Sequence, residues 1–233
     1  MPTKEKTFTP KIIIQLLIVV IITPLLPILI SQKWDWTEAW IYAGIQILGF
    51  IISRALAAKA HPDILQERAK SLERENTKSW DKILAPLVGL SGVFISIIAG
   101  LDMRYAWSGI YLSSGWKIFA ITLILLGYAL GSWAMISNRF FSGVVRIQED
   151  RGHHVVDTGP YAWVRHPGYV GIFIVNLAVP ILLDSLWTFG VVALFSVIII
   201  LRTVLEDRTL QEELPGYAEY AQRTRYKLFP RVW

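Results

Sequence analysis

Long apolar runs alternate along this chain with short, densely polar segments. A membrane-crossing helix needs ~20 mostly apolar residues, and six runs meet or approach that length, at 11–31, 37–58, 83–101, 116–137, 169–183 and 186–205. The pattern predicts an all-α fold, a polytopic membrane helical bundle of about six transmembrane helices. The fifth run is short and ends near Pro180 and Asp184, so the last two runs read as a tight helical hairpin. The first run is too long for the apolar core of a signal peptide and lacks a small-residue cleavage site, so it is expected to be retained. Thr23-Pro24 and Pro27 should bend the end of that helix, because proline removes a backbone donor and clashes with the preceding turn.

Composition supports the membrane reading. Hydrophobic residues make up 54% of the chain and charged residues 18%, against about 25% charge in soluble domains. The charge lies between the runs and is lopsided. Threading the runs leaves only Lys33, Arg104 and Lys117 of the 23 Lys and Arg on one side. The positive-inside rule then predicts that both termini, the 59–82 loop and the segment before the fifth run are cytoplasmic. The same bias accounts for the net charge of +5, so no nucleic-acid partner is expected. No metal is expected either: the chain has no Cys, and His61, His153, His154 and His166 form no HExxH spacing.

Residues 61–82 form a charged stretch that reads as an amphipathic or surface helix. Ile64, Leu65 and Leu72 are its candidates for lipid contact, and a solvated charged face is the favoured reading. Gly127 and Gly131 make a GxxxG spacing, read as ordinary close packing. Beyond the sixth run, Pro215-Gly216 breaks an acidic stretch, and Tyr217 and Tyr220 open a short C-terminal amphipathic helix. A tail of this kind is expected to fold back and roof a pocket at the cytoplasmic interface.

The chemistry-bearing segment runs from His153 to Gly171, HHVVDTGPYAWVRHPGYVG. Gly159-Pro160 forces a turn that lets His153–Val156 and Tyr161 converge on one ligand. Pro167 disfavours helical geometry at His166, so the fifth helix should start at the proline. Free amides there attract an electron-rich group, and Tyr161, Trp163 and Tyr169 offer faces for a base or a cation. A ligand with an aromatic base, a carboxylate and a positive centre suits this set. Arg202 and Glu206 share one helix face at the end of the sixth run. They read equally as an i,i+4 ion pair or as a functional pair at membrane depth.

The string GPYAWVRHPGYVG, followed by Arg202-x3-Glu206-Asp207, Tyr217-x2-Tyr220 and a late Tyr-Lys-Leu-Phe-Pro, resembles the isoprenylcysteine carboxyl methyltransferase family. The related phospholipid N-methyltransferases share much of it. The resemblance covers roughly residues 115–233, which implies a methyltransferase core there and leaves 1–114 as N-terminal transmembrane helices with a charged loop. It implies a membrane enzyme that uses S-adenosylmethionine. The cofactor would be held by His153, His154, Val155, Val156, Tyr161, His166, Pro167, Gly168, Tyr169 and Glu206, and Arg202 would be the catalytic, substrate-facing residue. The family carries a glutamine upstream of the histidine. Here Arg146 stands at the ungapped position and Gln148 two residues on, so the equivalent contact is open between them. The implied substrate is a lipophilic small molecule or prenylated acceptor, with carboxyl O-methylation of an isoprenylcysteine-like acid preferred. A carboxylate needs no base to attack a sulfonium methyl, whereas an amine must first lose a proton. A phospholipid or amine N-methyltransferase is the alternative. Membrane sterol reductases, which use NADPH, share a similar layout but have Asn before the tyrosine and Gly-Glu after it. This chain has Gly168 before Tyr169 and Gly171-Ile172 after it. A non-enzymatic transporter fits less well, because the spans are nearly uncharged and the polar groups cluster at one face.

Overall fold

The computed structural model describes residues 14, 16–71 and 74–233, and among them all regular structure is helical. Lys4, Lys6, Lys11, Leu72 and the start of the first apolar run lie outside the described residues. The helices are α1 (Thr23–Ser31), α2 (Thr37–Ala60), α3 (Ile64–Ala69), α4 (Asp81–Tyr105), α5 (Ser114–Ser137), α6 (Pro167–Leu182), α7 (Leu186–Glu213) and α8 (Tyr217–Arg223). Helices α2, α4, α5 and α7 have 24 to 28 residues and are long and apolar enough to cross a membrane. At 1.5 Å per residue, α6 reaches only about 24 Å. Its short link, Leu183–Ser185, returns the chain directly into α7, which makes the expected hairpin.

A π-helical turn, Ile18–Ile22, leads into α1. Pro24 has no N–H to give the preceding turn, and the helix widens just upstream. The Ile18 carbonyl there accepts from both the amide and the Oγ1 of Thr23. The prolines therefore act by a local change of winding.

The closest helix pair is α5 with α6. A Cβ on Gly127 would lie 2.8 Å from the Gly171 carbonyl, and one on Gly171 would lie 2.7 Å from the Gly127 carbonyl. Only glycine permits that approach, and lipid supplies no hydrophobic drive between helices to replace it. Gly127 of the GxxxG spacing is packing, as read from the sequence, whereas a Cβ on Gly131 would meet nothing within 4 Å; the Gly127–Gly171 approach fixes the helix that carries the Pro167–Tyr169 motif. Ile28, Tyr42, Ile95, Ile124, Leu182 and Val192 fill the centre of the bundle. Leu48, Ile51, Phe94, Leu125, Leu194 and Val197 face outward, which suits a lipid-facing surface.

Buried charges sit at both ends of the bundle. At the end holding the α6–α7 turn, Lys117 lies 2.5 Å from Asp184 and donates to the Leu182 carbonyl at 2.8 Å. Asp102 beside them accepts from the Ser108 amide at 2.7 Å, the Ser108 hydroxyl, and Ser185 Oγ at 2.5 Å. Every ionic group in this cluster has a partner.

The other end differs from expectation. Among the described residues between His61 and Trp80, Ile64–Ala69 is the one α-helical segment. Ile64 is fully buried against Ala57 and Met135, so it does not face lipid. Glu67 is 2% exposed and pairs with Arg74 and Arg146, so the charged face is not simply solvated. Its carboxylate finds the Arg146 guanidinium on the α5–α6 connection, and that draws α3 inward.

Candidate active site

The long connection between α5 and α6 wraps this end of the bundle. Its turn uses Gly159 at φ +60°, where a Cβ would also meet Ser137 Oγ at 2.4 Å. His166 is non-helical (φ −127°, ψ 60°) and Pro167 opens α6, because proline disfavours helical geometry in the residue before it. The connection is locked to the C-terminal tail through Arg165. Its Nε and Nη2 donate to Asp207 at 2.7 and 2.9 Å, and its Nη1 donates to the Thr224 and Arg225 carbonyls at 2.7 and 2.9 Å. These bonds outweigh burial and raise the Arg165 pKa. The Arg165 and His166 amides donate to the Tyr226 and Lys227 carbonyls, so the tail occupies part of the donor set that a ligand was expected to find ahead of α6. Tyr220 donates to the Tyr161 carbonyl at 2.7 Å, and Leu228 is fully buried between α4, α6 and α7. The tail does fold back and roof the site.

Beneath this roof is a cavity of about 480 Å³. Of the eleven residues the sequence nominated, all but Pro167 line it: His153, His154, Val155, Val156, Tyr161, His166, Gly168, Tyr169, Arg202 and Glu206. His153 and His154 are not on a helix; their rings flank Phe140, with centroids 4.6 and 4.8 Å away. Burial, reinforced by His154, Arg146 and Arg151, pushes the His153 pKa down to about 4, so this ring is neutral at physiological pH. Burial also raises the pKa of the Tyr161, Tyr217 and Tyr220 phenols, which keeps them as neutral donors.

Arg202 and Glu206 do not pair with each other. Tyr169 donates to Glu206 at 2.5 Å. Arg202 Nε and Nη2 donate to Asp81, at the start of α4, at 2.6 and 3.0 Å, and Nη2 also donates to the Gly143 carbonyl at 3.0 Å. Asp81 is wholly buried and takes the Val145 amide at 2.6 Å. It thereby joins α4, α7 and the α5–α6 connection. The Arg202 guanidinium lies 5.5 Å above the Tyr169 ring, so the arginine, the tyrosine and the glutamate form one continuous polar wall.

Arg146 and Gln148 both line the cavity, and both spend polar atoms on the protein. Arg146 binds Glu67 and Asp150, while Gln148 donates to the Phe140 carbonyl and accepts from Arg151. The sequence reading missed Asp81 and the residues that line the inner end of the cavity, among them Phe50, Arg68, Val88, Tyr128 and Ile172. Asp81 sits 121 positions from Arg202, and no local pattern announces such a pair. The one available signal was an acid directly ahead of an apolar run.

Residues 120–214, from mid-α5 to the end of α7, match a known family. It is the isoprenylcysteine carboxyl methyltransferase family. The matched stretch contains the α5–α6 connection, Arg202 and Glu206, and leaves α1–α4 and α8 outside. Protein-S-isoprenylcysteine O-methyltransferase of Schizosaccharomyces pombe is 37% identical over 76 residues, 32% of each chain. Protein-S-isoprenylcysteine O-methyltransferase B of Arabidopsis thaliana is 29% identical over 112 residues, 45% of this chain and 55% of the relative. Cobalt-zinc-cadmium resistance protein CzcN of Cupriavidus metallidurans is 31% identical over 129 residues, 54% of each. The chain thus spans between 32% and 55% of the length of these relatives.

Proposed function

We propose that the protein is an integral membrane, S-adenosylmethionine-dependent methyltransferase that esterifies the carboxylate of a lipid-like, isoprenylcysteine-like acid. One observation carries the reading. A single cavity joins the polar wall of the α5–α6 connection and α7 to an apolar end lined from within the spans by Phe50, Val88, Tyr128 and Ile172. A polar cofactor and a greasy acceptor can meet there without the acceptor leaving the bilayer.

The donor set fits the cofactor. Glu206 has one oxygen held by Tyr169 and so presents an oriented carboxylate to a positive centre. Tyr161, Tyr217 and His166 supply ring faces, and a cavity of about 480 Å³ lies within the common range for small-molecule sites, about 300–1,000 Å³. When bound, S-adenosylmethionine would supply an electrophilic methyl to an acceptor oxygen, with the C–S bonding pair leaving on sulfur. The protein's task is then alignment, which can contribute up to about 7–11 kcal/mol. Arg202, immobilised by Asp81, holds the acceptor oxygen in line. No base is required, which suits a cavity whose His153, with its pKa pushed down to about 4, is a weak proton acceptor. Amine or phospholipid N-methylation remains the second chemistry of the same site. Residues 115–233 form the catalytic core in this reading, and 1–114 shape the acceptor's entrance. The basic segments gather at this end of the bundle, which supports a cytoplasmic site by the positive-inside rule.

The test is calorimetric binding of S-adenosylhomocysteine to the full chain in detergent, with NADPH in parallel. Saturable binding of the first alone, lost in Glu206→Ala, is the expected result. Binding of NADPH alone would overturn the reading.

A further inference from the structure

Resting on that methyltransferase reading, one cation at the cavity is left without a task. Arg146 has Glu67 and Asp150, Arg165 has Asp207, and Arg202 has Asp81. Arg68, on the short helix α3, lines the same cavity and among the described residues forms no ion pair. Its Nη1 is shut off from solvent and has no hydrogen-bond partner. The guanidinium instead lies 5.2 Å over the Phe141 ring. Burial, and then the charges of Arg54 and Arg202, hold its pKa well below the ordinary guanidinium value. A cation with one nitrogen so placed is costly on its own, because that nitrogen has given up water without gaining an acceptor. That cost is recovered when an anion arrives.

The cavity also presents charge of both signs. Glu206 stands on the cofactor wall beside Tyr169, where a sulfonium is attracted. Arg68 shares the cavity with Arg202 and with the apolar residues Phe50, Val88 and Ile172. Arg202 commits Nε and Nη2 to Asp81, so much of its charge is already answered, whereas that of Arg68 is not. We propose that Arg68 binds the carboxylate of the methyl acceptor and so acts as a specificity-determining residue, selecting an apolar-tailed carboxylic acid over an amine. The acceptor's tail then runs into the apolar end of the cavity. A guanidinium suits this task because its planar fork matches a carboxylate bidentately.

The test measures binding to the full chain in detergent, wild type against Arg68→Gln. The probes are N-acetyl-S-farnesylcysteine, its carboxamide, dodecyl phosphate and S-adenosylhomocysteine. Loss of a charge-assisted contact should weaken the carboxylate probe about tenfold or more. The carboxamide and S-adenosylhomocysteine should stay within about twofold of wild type. Arg68→Lys, which keeps the charge, should recover part of the carboxylate affinity and guards against a folding defect. The proposal is overturned if Arg68→Gln weakens S-adenosylhomocysteine and spares the carboxylate, which would make Arg68 a cofactor residue. Equal losses for carboxylate and carboxamide would overturn it as well, since that pattern is structural. Preference of the wild type for the phosphate probe would reassign the site to a phospholipid head. Failure of the methyltransferase reading shows separately, as a wild type that does not bind S-adenosylhomocysteine, while the carboxylate arms still report on Arg68.

Discussion

The two ends of the bundle both bury charge, and they do so in opposite ways. At the α6–α7 turn, Lys117 meets Asp184 and a carbonyl, and Asp102 takes three donors from Ser108 and Ser185. Nothing there is left over. At the cavity end, Asp81, Asp207 and Glu67 each satisfy an arginine, yet Arg68 has no carboxylate and Glu206 is held only by a phenol. The first arrangement staples a hairpin. The second keeps one cation and one anion available on the walls of a cavity, at an energetic cost that a stapled cluster avoids. Completeness of pairing, more than burial, therefore separates the two ends of this molecule.

Three variants would break or sharpen that contrast. Arg202→Ala should have the largest effect. It leaves Asp81 buried without its cation, costing about 3–5 kcal/mol of stability, and it should abolish turnover while S-adenosylhomocysteine still binds; thermal unfolding and a methyl-transfer assay read the two losses. Next, Lys117→Met should also lower stability by about 3–5 kcal/mol, because it orphans Asp184, with ligand affinity unchanged. Arg68→Met should leave thermal stability equal to wild type or higher, since it removes a charge that has no partner. Similar destabilisation by both methionine variants would erase the distinction drawn here.

Smaller effects should follow from packing and pH. Gly127→Val forces α5 off α6, and overpacking of this kind costs about 1–3 kcal/mol; denaturation in mild detergent would show it. His153 has a folded-state pKa of about 4 against an ordinary 6.5. The unfolded chain therefore takes up a proton that the folded chain refuses as pH falls from 6.5 towards 4, and stability declines over that window. His153→Gln should flatten the decline, and an unchanged pH profile in that variant would contradict the burial of this ring.

What could be read in advance depended on how local the feature was. The segment from His153 to Tyr169 is contiguous, and its turn residues dictate their own geometry, so its convergence on one cavity was legible before any coordinates. Arg202 and Glu206 could be placed on one helix face because α-helical spacing is fixed. Their partners could not be read. An i,i+4 pairing was available to them, but Asp81 offers Arg202 a buried bidentate partner and Tyr169 offers Glu206 a short hydrogen bond. Both alternatives come from other helices. The 61–82 stretch misled for the same reason. Its charges read as solvated until Arg146 was found waiting for Glu67.

Apolar run length and the lopsided distribution of Lys and Arg were enough to establish a helical membrane bundle, because a bilayer permits few other ways to satisfy a spanning backbone. The motif-bearing connection was likewise legible, since proline and glycine act on the residues next to them. Which of the arginines lining the cavity are answered and which is left open was decided only in three dimensions. Pairing energy depends on what lies within a few ångströms in space, and in Arg202–Asp81 that neighbour is 121 residues away along the chain.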